Sequence, residues 1–314
     1  MENKKEEEKI LPIPKLPEKI EKAINNGNLV IFIGAGVSRL KPYGCKGWDE
    51  LARNLIKETT FDYLAKNYLT EILYKSGGCK KVITICYNHF VENKKENTFF
   101  ECMKDALNDD DDKIENTKNN KGIYQHIFKM GGIFVTTNAD RHIDQIFDEN
   151  NIVIEPNKLD DNINTKKLYK IHGCISDKDS LIFTTSKYFK QYSNDNFRKF
   201  LRNLFEKYIV LFVGYGLEEF ELLDFLCQRK QPNEEKEYRH FYLNGYFSNE
   251  ILLKDLEQKY FDDLGIKLIP FCKDEKNYEQ LNDIFENWEM ESKKGTNILS
   301  KNFEEIDEAL RNIR

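Results

Sequence analysis

Residues 29–40 read LVIFIGAGVSRL, an unbroken apolar run that ends in Gly-Ala-Gly. An apolar run without alternation is typical of a parallel strand that is buried on both faces. Gly34 and Gly36 match the first two glycines of the dinucleotide-binding pattern G-x-G-x-x-G, but its last position is Arg39 here. The stretch therefore predicts a parallel strand with a tight glycine turn and leaves the bound nucleotide open.

Apolar runs of this kind recur along the chain and alternate with helical patterns. Strands that alternate with helices predict an α/β fold, in which a Rossmann-like, mostly parallel sheet carries helices on both faces. A helix is also expected to start at Asp140, directly after the second run. The later runs lie at 132–138, 168–171, 208–214, 240–244 and 266–271.

The segment between the first two strands has a different pattern. From 48 to 107 the apolar residues recur at helical spacing, and no strand is indicated. The polar stretch 108–121 contains four consecutive aspartates. It does not combine alternating ligands, a glycine and a late glutamate as a calcium loop does, so we expect a solvated loop. Residues 48–121 are therefore predicted to be a mainly helical insertion without a zinc module.

The two ends of the chain are more polar than its middle. Residues 1–16 predict a flexible tail, and residues 17–290 predict one domain that includes the helical insertion. Residues 291–314 predict a linker followed by a helix, which would be available for contact within an oligomer or with a partner.

Composition and charge exclude several function classes. A net charge of −6 argues against a general nucleic-acid-binding surface. The seven cysteines form no C-x-x-C pair, which argues against a disulfide framework and a cysteine-rich zinc site. The N-terminus has no apolar signal region, and no apolar run approaches the roughly 18 residues of a membrane helix. We therefore expect a cytoplasmic protein that needs no metal.

Small or polar residues follow five of the predicted strands. In an open parallel sheet, ligands bind beyond the carboxyl ends of the strands, so these residues are expected along one edge. Each has another explanation, because glycines permit tight turns, Asn and Asp cap helices, and a single histidine is most often structural. Their combination on one rim indicates a nucleotide site. In chain order the residues are Gly34, Ala35, Gly36, Ser38, Asn138, Asp140, His172, Gly214, Tyr215 and Asn244.

The same residues fall in five short blocks, GAGVS, TTNAD, HG, GYG and YLN. In this order and at these separations the blocks resemble the signatures of the sirtuin superfamily, over about residues 28–272. The resemblance is closest to the bacterial sirtuin-like branch, whose members often act in antiviral defence as NAD-consuming enzymes. It implies that residues 17–290 form a sirtuin-like NAD-binding domain with NAD+ as its substrate.

The resemblance also implies a role for each matching residue. Asn138 would position the nicotinamide ribose or a nearby water, and His172 would be the general base, so that both would be catalytic. Asp140 would hold the nicotinamide amide. The remaining residues would bind the rest of NAD+, with Gly34, Ala35, Gly36 and Ser38 at the pyrophosphate and nearby ribose, and Gly214, Tyr215 and Asn244 on the adenosine side.

Several positions depart from the protein-deacylating sirtuins. The two C-x-x-C zinc pairs are absent, Thr137 replaces the usual Gln, and Gly216 replaces the usual Ser. Trp48 lies near the place where the deacylases have a Phe-Arg pair. These changes argue against lysine deacylation more than against NAD binding.

Cleavage of the bond between nicotinamide and ribose passes through an oxocarbenium-like transition state and needs no metal. A histidine can deprotonate a ribose hydroxyl or a water, and an asparagine can orient these groups. We therefore expect an NAD+ glycohydrolase that yields nicotinamide and ADP-ribose, with the share of cyclised product left open. Two alternatives are a non-catalytic module that binds NAD or an ADP-ribose-type nucleotide in a complex, and an NAD-dependent protein deacylase.

A toxic NADase has to be inactive until it is triggered. The resemblance therefore implies a regulated effector of bacterial anti-phage defence that forms a homo-oligomer and responds to a partner protein, such as a defence ATPase or a phage-derived trigger. The helical segment 48–107 and the helix at 301–313 are candidate contact surfaces, although either could instead only cover the core.

Overall fold

The computed structural model describes residues 9–293 apart from 76, 121, 155–162, 164, 218–219 and 228–237. Within these residues seven strands form one sheet, and every neighbouring pair is parallel. The strands are β1 (Leu29–Ile33), β2 (Ile133–Thr136), β3 (Ile152–Val153), β4 (Leu168–Lys170), β5 (Ile209–Val213), β6 (His240–Tyr246) and β7 (Ile266–Cys272). Their order in the sheet is β3-β4-β2-β1-β5-β6-β7.

Strand β1 is buried on both faces, as its apolar run predicts. All five side chains have no exposed area. Val30 and Phe32 belong to one hydrophobic cluster, whereas Leu29, Ile31 and Ile33 belong to a second cluster. Because successive side chains of a strand point to opposite faces, the two clusters are the two faces of the sheet. The predicted Rossmann-like sheet, covered on both sides, is confirmed.

Helices supply the apolar side chains that cover these two faces. Among the described residues, no helix has both the length and the apolar content that crossing a membrane would require. The helices are α1 (Glu18–Asn25), α2 (Ala35–Ser38), α3 (Trp48–Glu58), α4 (Tyr63–Leu73), α5 (Gly78–Glu92), α6 (Glu96–Ala106), α7 (Asp111–Asn119), α8 (Ile123–Met130), α9 (Thr185–Tyr192), α10 (Asp195–Lys207), α11 (Phe220–Cys227), α12 (Ile251–Asp263) and α13 (280–293). Short 3-10 turns are formed by Ile143–Ile146, Glu149–Asn151 and Asn277–Glu279.

Each face of the sheet has its own set of helices. Buried side chains of α9, α10, α11 and α12 join the cluster of Val30 and Phe32. Those of α1, α8 and α13 join the cluster of Leu29 and Ile31. Helix α10 illustrates why these segments are helical, because Phe197, Phe200, Leu201 and Leu204 recur at helical spacing and are all buried.

Helices α3 to α6 pack around a third hydrophobic cluster, separate from the two faces of the sheet. Leu55 from α3, Val82 from α5 and Phe99 from α6 are fully buried within it. Ala139, from the loop after β2, and Phe183 belong to the same cluster. Helices α3 to α6, which we call the helical module, therefore have their own core, and this core touches the carboxyl edge of the sheet.

The polar stretch 108–121 is not the loop that its composition predicts, because Asp111–Asn119 forms helix α7. The Asp110 side chain accepts a hydrogen bond from the amide of Asp112 at 3.1 Å and caps this helix. The two aspartates of the first turn also interact favourably with the helix dipole. Ile114 and Thr117 are buried, and α7 packs on the 3-10 turn Ile143–Ile146. Local capping and this tertiary contact stabilise a helix that hydrophobic periodicity does not indicate.

The helix predicted from Asp140 is also wrong, since only the 3-10 turn Ile143–Ile146 forms there. The Asp140 carboxylate accepts a hydrogen bond from the amide of His142 at 3.1 Å. The Asp140 carbonyl accepts one from Nζ of Lys170 at 2.5 Å, so it does not take part in a helical ladder. Side-chain contacts thus replace the backbone bonds of a first helical turn.

Residues 9–16, predicted as part of a flexible tail, pack on the domain. Ile10 and Leu16 are buried. The carbonyl of Leu11 accepts a hydrogen bond from the amide of Cys272, and that of Pro14 accepts one from Nε1 of Trp288 at 2.8 Å. At the other end α13 continues to residue 293. Residues 1–8 of the predicted tail and 294–314 of the predicted linker and helix lie outside the described residues.

Candidate functional site

The residues that follow five strands lie side by side along the carboxyl edge of the sheet. Ile33 is in register with Thr136 on one side and Val213 on the other. Thr136 is in register with Lys170, and Val213 with Leu243. Neighbouring strands are about 4.8 Å apart. The spatial order along the rim is therefore His172, Asn138, Gly34, Gly214 and Asn244.

The loops after β1 and β5 meet at the point where the strand order reverses direction. The amide of Gly34 donates to the carbonyl of Val213 at 2.9 Å, and that of Gly36 donates to the carbonyl of Gly214 at 2.8 Å. A Cβ on Gly214, whose φ is +61°, would lie 2.7 Å from the amide nitrogen of Val37. Only glycine permits this approach. The amides of Gly34 and Gly36, two residues expected at the pyrophosphate, are thus bonded to the last residue of β5 and the first residue after it.

Asn138 is buried, and its amide group is held in one orientation. Nδ2 donates to the carbonyl of Gly34 at 3.0 Å and to Oγ of Ser38 at 2.9 Å. Since a carbonyl can only accept, these contacts identify the nitrogen of the amide and use both of its hydrogens. Oδ1 is buried and has no hydrogen-bond partner among the described residues. Asn138 therefore presents one unused acceptor.

Ser38 is the centre of a buried hydrogen-bond network. Its hydroxyl donates its single proton to Oδ2 of Asp140 at 2.7 Å. The hydroxyl of Tyr124 lies 2.7 Å from the same Oγ and must therefore be the donor of that bond. Burial, and next the charge of Asp140, raise the pKa of Tyr124 well above its ordinary value, so the hydroxyl keeps its proton. The network therefore links the side chains of Asn138 and Asp140 through the hydroxyl of Ser38.

Asp140 is fixed from two directions. Its two carboxylate oxygens accept hydrogen bonds from Ser38 and from the backbone of His142. Its carbonyl is held by Lys170, whose side chain is fully buried and forms an ion pair with Asp144 at 2.7 Å. Burial is the largest single influence and disfavours the charged ammonium, but Asp144, Cys174 and Asp140 together outweigh it and raise the pKa of Lys170. A permanent buried cation therefore holds the loop after β2 in place.

His172 lies two residues beyond the end of β4 and is buried between two tyrosines of α9. Nε2 is 3.3 Å from the hydroxyl of Tyr192, and Nδ1 is 3.4 Å from that of Tyr188. Nζ of Lys80, from the helical module, lies 3.5 Å above the ring of Tyr188. His172 is thus placed by α9 rather than by the network around Ser38.

Two cavities of different size adjoin the rim. The smaller cavity, of about 20 Å³, is the more enclosed of the two, and we call it the enclosed cavity; it has space for roughly one water molecule. It lies between the loops after β1 and β2 and the helical module, and its walls include Ala35, Ser38, Asn138 and Asp140. Trp48 of α3 also lines it.

The second cavity, of about 610 Å³, lies beyond β1, β5 and β6. Gly36 and Gly214 form one wall, and the rest of the lining combines aromatic side chains such as Tyr242 with polar ones such as Glu279. Tyr215 and Asn244, which are predicted to bind the adenosine side, both line it, and Nδ2 of Asn244 also donates to the hydroxyl of Tyr246 at 3.1 Å. His172 is not among the residues that line either cavity.

Motif reasoning missed two residues that hold the site. Tyr124 comes from the buried face of α8, where its periodicity marks it as an ordinary core residue. Lys170 does carry a signal, since a lysine inside the apolar run 168–171 needs a buried anionic partner. The structure identifies that partner as Asp144.

Comparison with known protein families gives one match. Residues 132–269 match the family model of the SIR2-like domain, a little less than half of the chain. The matched range includes Asn138, His172 and Asn244 but not the β1 loop. The match supports a relationship to the sirtuin-like superfamily and indicates NAD-related activity. A search of curated proteins found no significant match.

Proposed function

We propose that the protein is an NAD+ glycohydrolase that cleaves the nicotinamide–ribose bond and acts in the cytoplasm as a regulated effector of bacterial antiviral defence. The observation that carries the proposed activity is Oδ1 of Asn138, a buried acceptor without a partner among the described residues. A buried polar atom left unpaired costs about 1–3 kcal/mol. A ribose hydroxyl or a water at this position would supply the missing donor.

The surrounding network supports a catalytic role for this acceptor. Because both hydrogens of Nδ2 are used by Gly34 and Ser38, the amide cannot turn when a ligand binds. A fixed dipole costs no reorganisation as charge develops in the transition state. We expect Oδ1 to orient a hydroxyl near the anomeric carbon while the carbon–nitrogen bond breaks.

The proposed reaction is a displacement by water. Nicotinamide leaves with the electron pair of the glycosidic bond and becomes neutral, and the ribose carbon acquires oxocarbenium character. Water then forms the new carbon–oxygen bond, and His172 accepts the proton of this water. His172 follows β4, which is paired with β2, the strand that precedes Asn138. NAD+ and water thus yield nicotinamide, ADP-ribose and a proton.

The two cavities support a division of the substrate along the rim. The cavity of about 610 Å³ has space for the adenosine part of NAD+. The enclosed cavity beside Asn138 and Asp140 lies where the nicotinamide would be held, but about 20 Å³ admits a water and not a ring. Trp48 and Leu51 of α3 line it, so a shift of the helical module would enlarge it. A cavity that is too small for nicotinamide until the helical module moves is the feature that supports regulation.

The role in defence rests on the resemblance of the motif series to the bacterial sirtuin-like branch. We propose that assembly into a homo-oligomer, or contact with a partner such as a defence ATPase or a phage-derived trigger, moves the helical module. The core of α3 to α6 includes Ala139, which lies between Asn138 and Asp140, so such a movement would reach the loop after β2.

The activity can be tested by incubating the purified chain with NAD+ and quantifying nicotinamide, ADP-ribose and cyclic ADP-ribose. We expect nicotinamide and ADP-ribose in equal amounts, and their loss in Asn138→Ala and His172→Ala. An acetyl-lysine peptide in a parallel reaction tests deacylation, which would consume the peptide together with NAD+. Trp48→Ala should raise the rate by enlarging the enclosed cavity. If NAD+ stabilises the wild type against unfolding but neither the wild type nor Trp48→Ala releases nicotinamide, the chain is a binding module instead.

A further inference from the structure

We propose that Cys45, Asp140 and His142 form a binding site for a thiolate-seeking divalent cation such as Zn²⁺, and that its occupation blocks the proposed cleavage of NAD+. The three residues come from two segments, the loop after α2 and the loop after β2. All three are buried, and one ligand atom from each lies within 4.8 Å of the others. The inhibitory part of this inference rests on the proposed function, whereas the metal site does not.

The spacing is close to that of a zinc site. Ligand atoms in tetrahedral coordination by sulfur, nitrogen and oxygen lie about 3.3–3.8 Å apart, given metal–ligand distances of about 2.0–2.3 Å. The atoms of Cys45, Asp140 and His142 therefore need to approach one another by at most about 1–1.5 Å. A cation between them would supply that attraction.

A second observation concerns the protonation of His142. Nε2 lies 3.2 Å from the carbonyl of Leu107, which can only accept, so Nε2 carries a hydrogen and donates to it. Nδ1 lies 3.4 Å from Oγ1 of Thr117, whose own proton is donated to the carbonyl of Ile114 at 2.7 Å. A cation would displace the Leu107 carbonyl from Nε2, and the imidazole hydrogen would then move to Nδ1, where Thr117 can accept it. An outer partner that fixes the tautomer is typical of a metal-binding histidine.

The local charge also favours a cation. Sγ of Cys45 donates to the carbonyl of Leu107 at 2.9 Å, so this carbonyl faces both Cys45 and His142. The carboxylates of Asp140 and Asp109 act electrostatically on Cys45 and would attract a cation. Coordination to a divalent ion deprotonates a thiol outright. Each bound Zn²⁺ would form a bond to sulfur and release the thiol proton to solvent.

A further ligand can come from the enclosed cavity. Cys45 and Asp140 line it together with Asn138, whose Oδ1 has no partner among the described residues. Its volume of about 20 Å³ suits a single water. A metal-bound water in this cavity could donate to Oδ1.

Metal binding and NAD+ cleavage would compete for the same residue. Asp140 is expected to hold the nicotinamide amide, and its carboxylate belongs to the network of Ser38. Coordination of Asp140 would remove that acceptor and fill the enclosed cavity. Zn²⁺ would then act as a reversible inhibitor that a chelator removes.

The direct test uses Co²⁺ as a spectroscopic probe with the full chain. We expect one Co²⁺ per chain to give a sulfur-to-metal charge-transfer absorption and tetrahedral visible bands. Cys45→Ser and His142→Gln should each lose the charge-transfer band or weaken Zn²⁺ binding, measured by chelator competition, by at least about 100-fold. Cys272→Ser is the matched control, because Cys272 is a free thiol outside the cluster, and it should bind like the wild type.

The inhibitory part is tested by titrating Zn²⁺ into the NAD+ reaction. We expect inhibition of the wild type and of Cys272→Ser that EDTA reverses, none by Mg²⁺, and a comparable loss of sensitivity in Cys45→Ser. Absence of stoichiometric Co²⁺ binding by the wild type would overturn the site. Unchanged binding by Cys45→Ser would also overturn it. If Co²⁺ binds through Cys45 but the metal-free chain cleaves no NAD+, the metal site stands and the proposed function fails.

Discussion

The two sides of the rim are built in opposite ways. On one side Ser38, Asn138 and Asp140 form a buried network around a cavity of about 20 Å³. On the other side Gly36 and Gly214 form one wall of a cavity of about 610 Å³. The enclosed side fixes the direction of polar atoms, whereas the open side provides space and apolar surface. We propose that chemistry and binding are divided between these two parts of one sheet edge.

This division predicts different kinetic effects on the two sides. A change on the enclosed side should lower kcat, because it removes interactions made in the transition state. A change on the open side should raise KM with little effect on kcat, because it removes binding that is uniform along the reaction. The following variants test that division.

The largest effect is expected for His172→Ala. We expect kcat to fall by about 10²–10⁴-fold, as for the loss of a general base. Tyr188→Phe, which removes a hydroxyl 3.4 Å from Nδ1, should have a much smaller effect. The measurement is nicotinamide release at saturating NAD+. A rate within twofold of the wild type would show that His172 takes no part in the reaction and that Asn138 is the last reactive residue on this side of the rim.

A large effect on stability is expected for Lys170→Met. Breaking a buried ion pair by removing one partner costs about 3–5 kcal/mol, here because Asp144 and the carbonyl of Asp140 lose their cation. Urea unfolding should show the loss. The double variant Lys170→Met, Asp144→Leu should be more stable than the single variant, since it leaves no unpaired charge. Equal stability of both variants would contradict the assigned role of Lys170.

A smaller effect on the enclosed side is expected for Tyr124→Phe. The variant removes the donor to Oγ of Ser38 but keeps the ring, so kcat should fall by about tenfold, the value of one hydrogen bond. KM should change little. A change confined to KM would mean that Tyr124 belongs functionally to the binding side.

The smallest effect is expected on the open side, for Tyr278→Ala. Tyr278 lines the larger cavity and is 43% exposed. Loss of one aromatic contact should raise KM by about 2- to 10-fold and leave kcat unchanged. A fall in kcat with constant KM would break the division between the two sides.

The sheet could be predicted from the sequence because parallel strands buried on both faces leave continuous apolar runs, as at Leu29–Ile33. The carboxyl-edge rule then places Asn138 next to His172 without side-chain information. Helix α7 could not be predicted, since its cap and its packing partner outweigh a polar composition. Tyr124 could not be predicted either, because a core residue becomes part of the site only when α8 packs behind Ser38.

The central claim is that Oδ1 of Asn138 acts in bond cleavage and not in binding. Asn138→Ala removes this acceptor from the enclosed side and leaves the open cavity untouched. The most direct measurement compares NAD+ affinity by calorimetry with nicotinamide release for the same variant. We predict an affinity within about threefold of the wild type and release lowered by at least about 100-fold. Nicotinamide release equal to that of the wild type would contradict the claim.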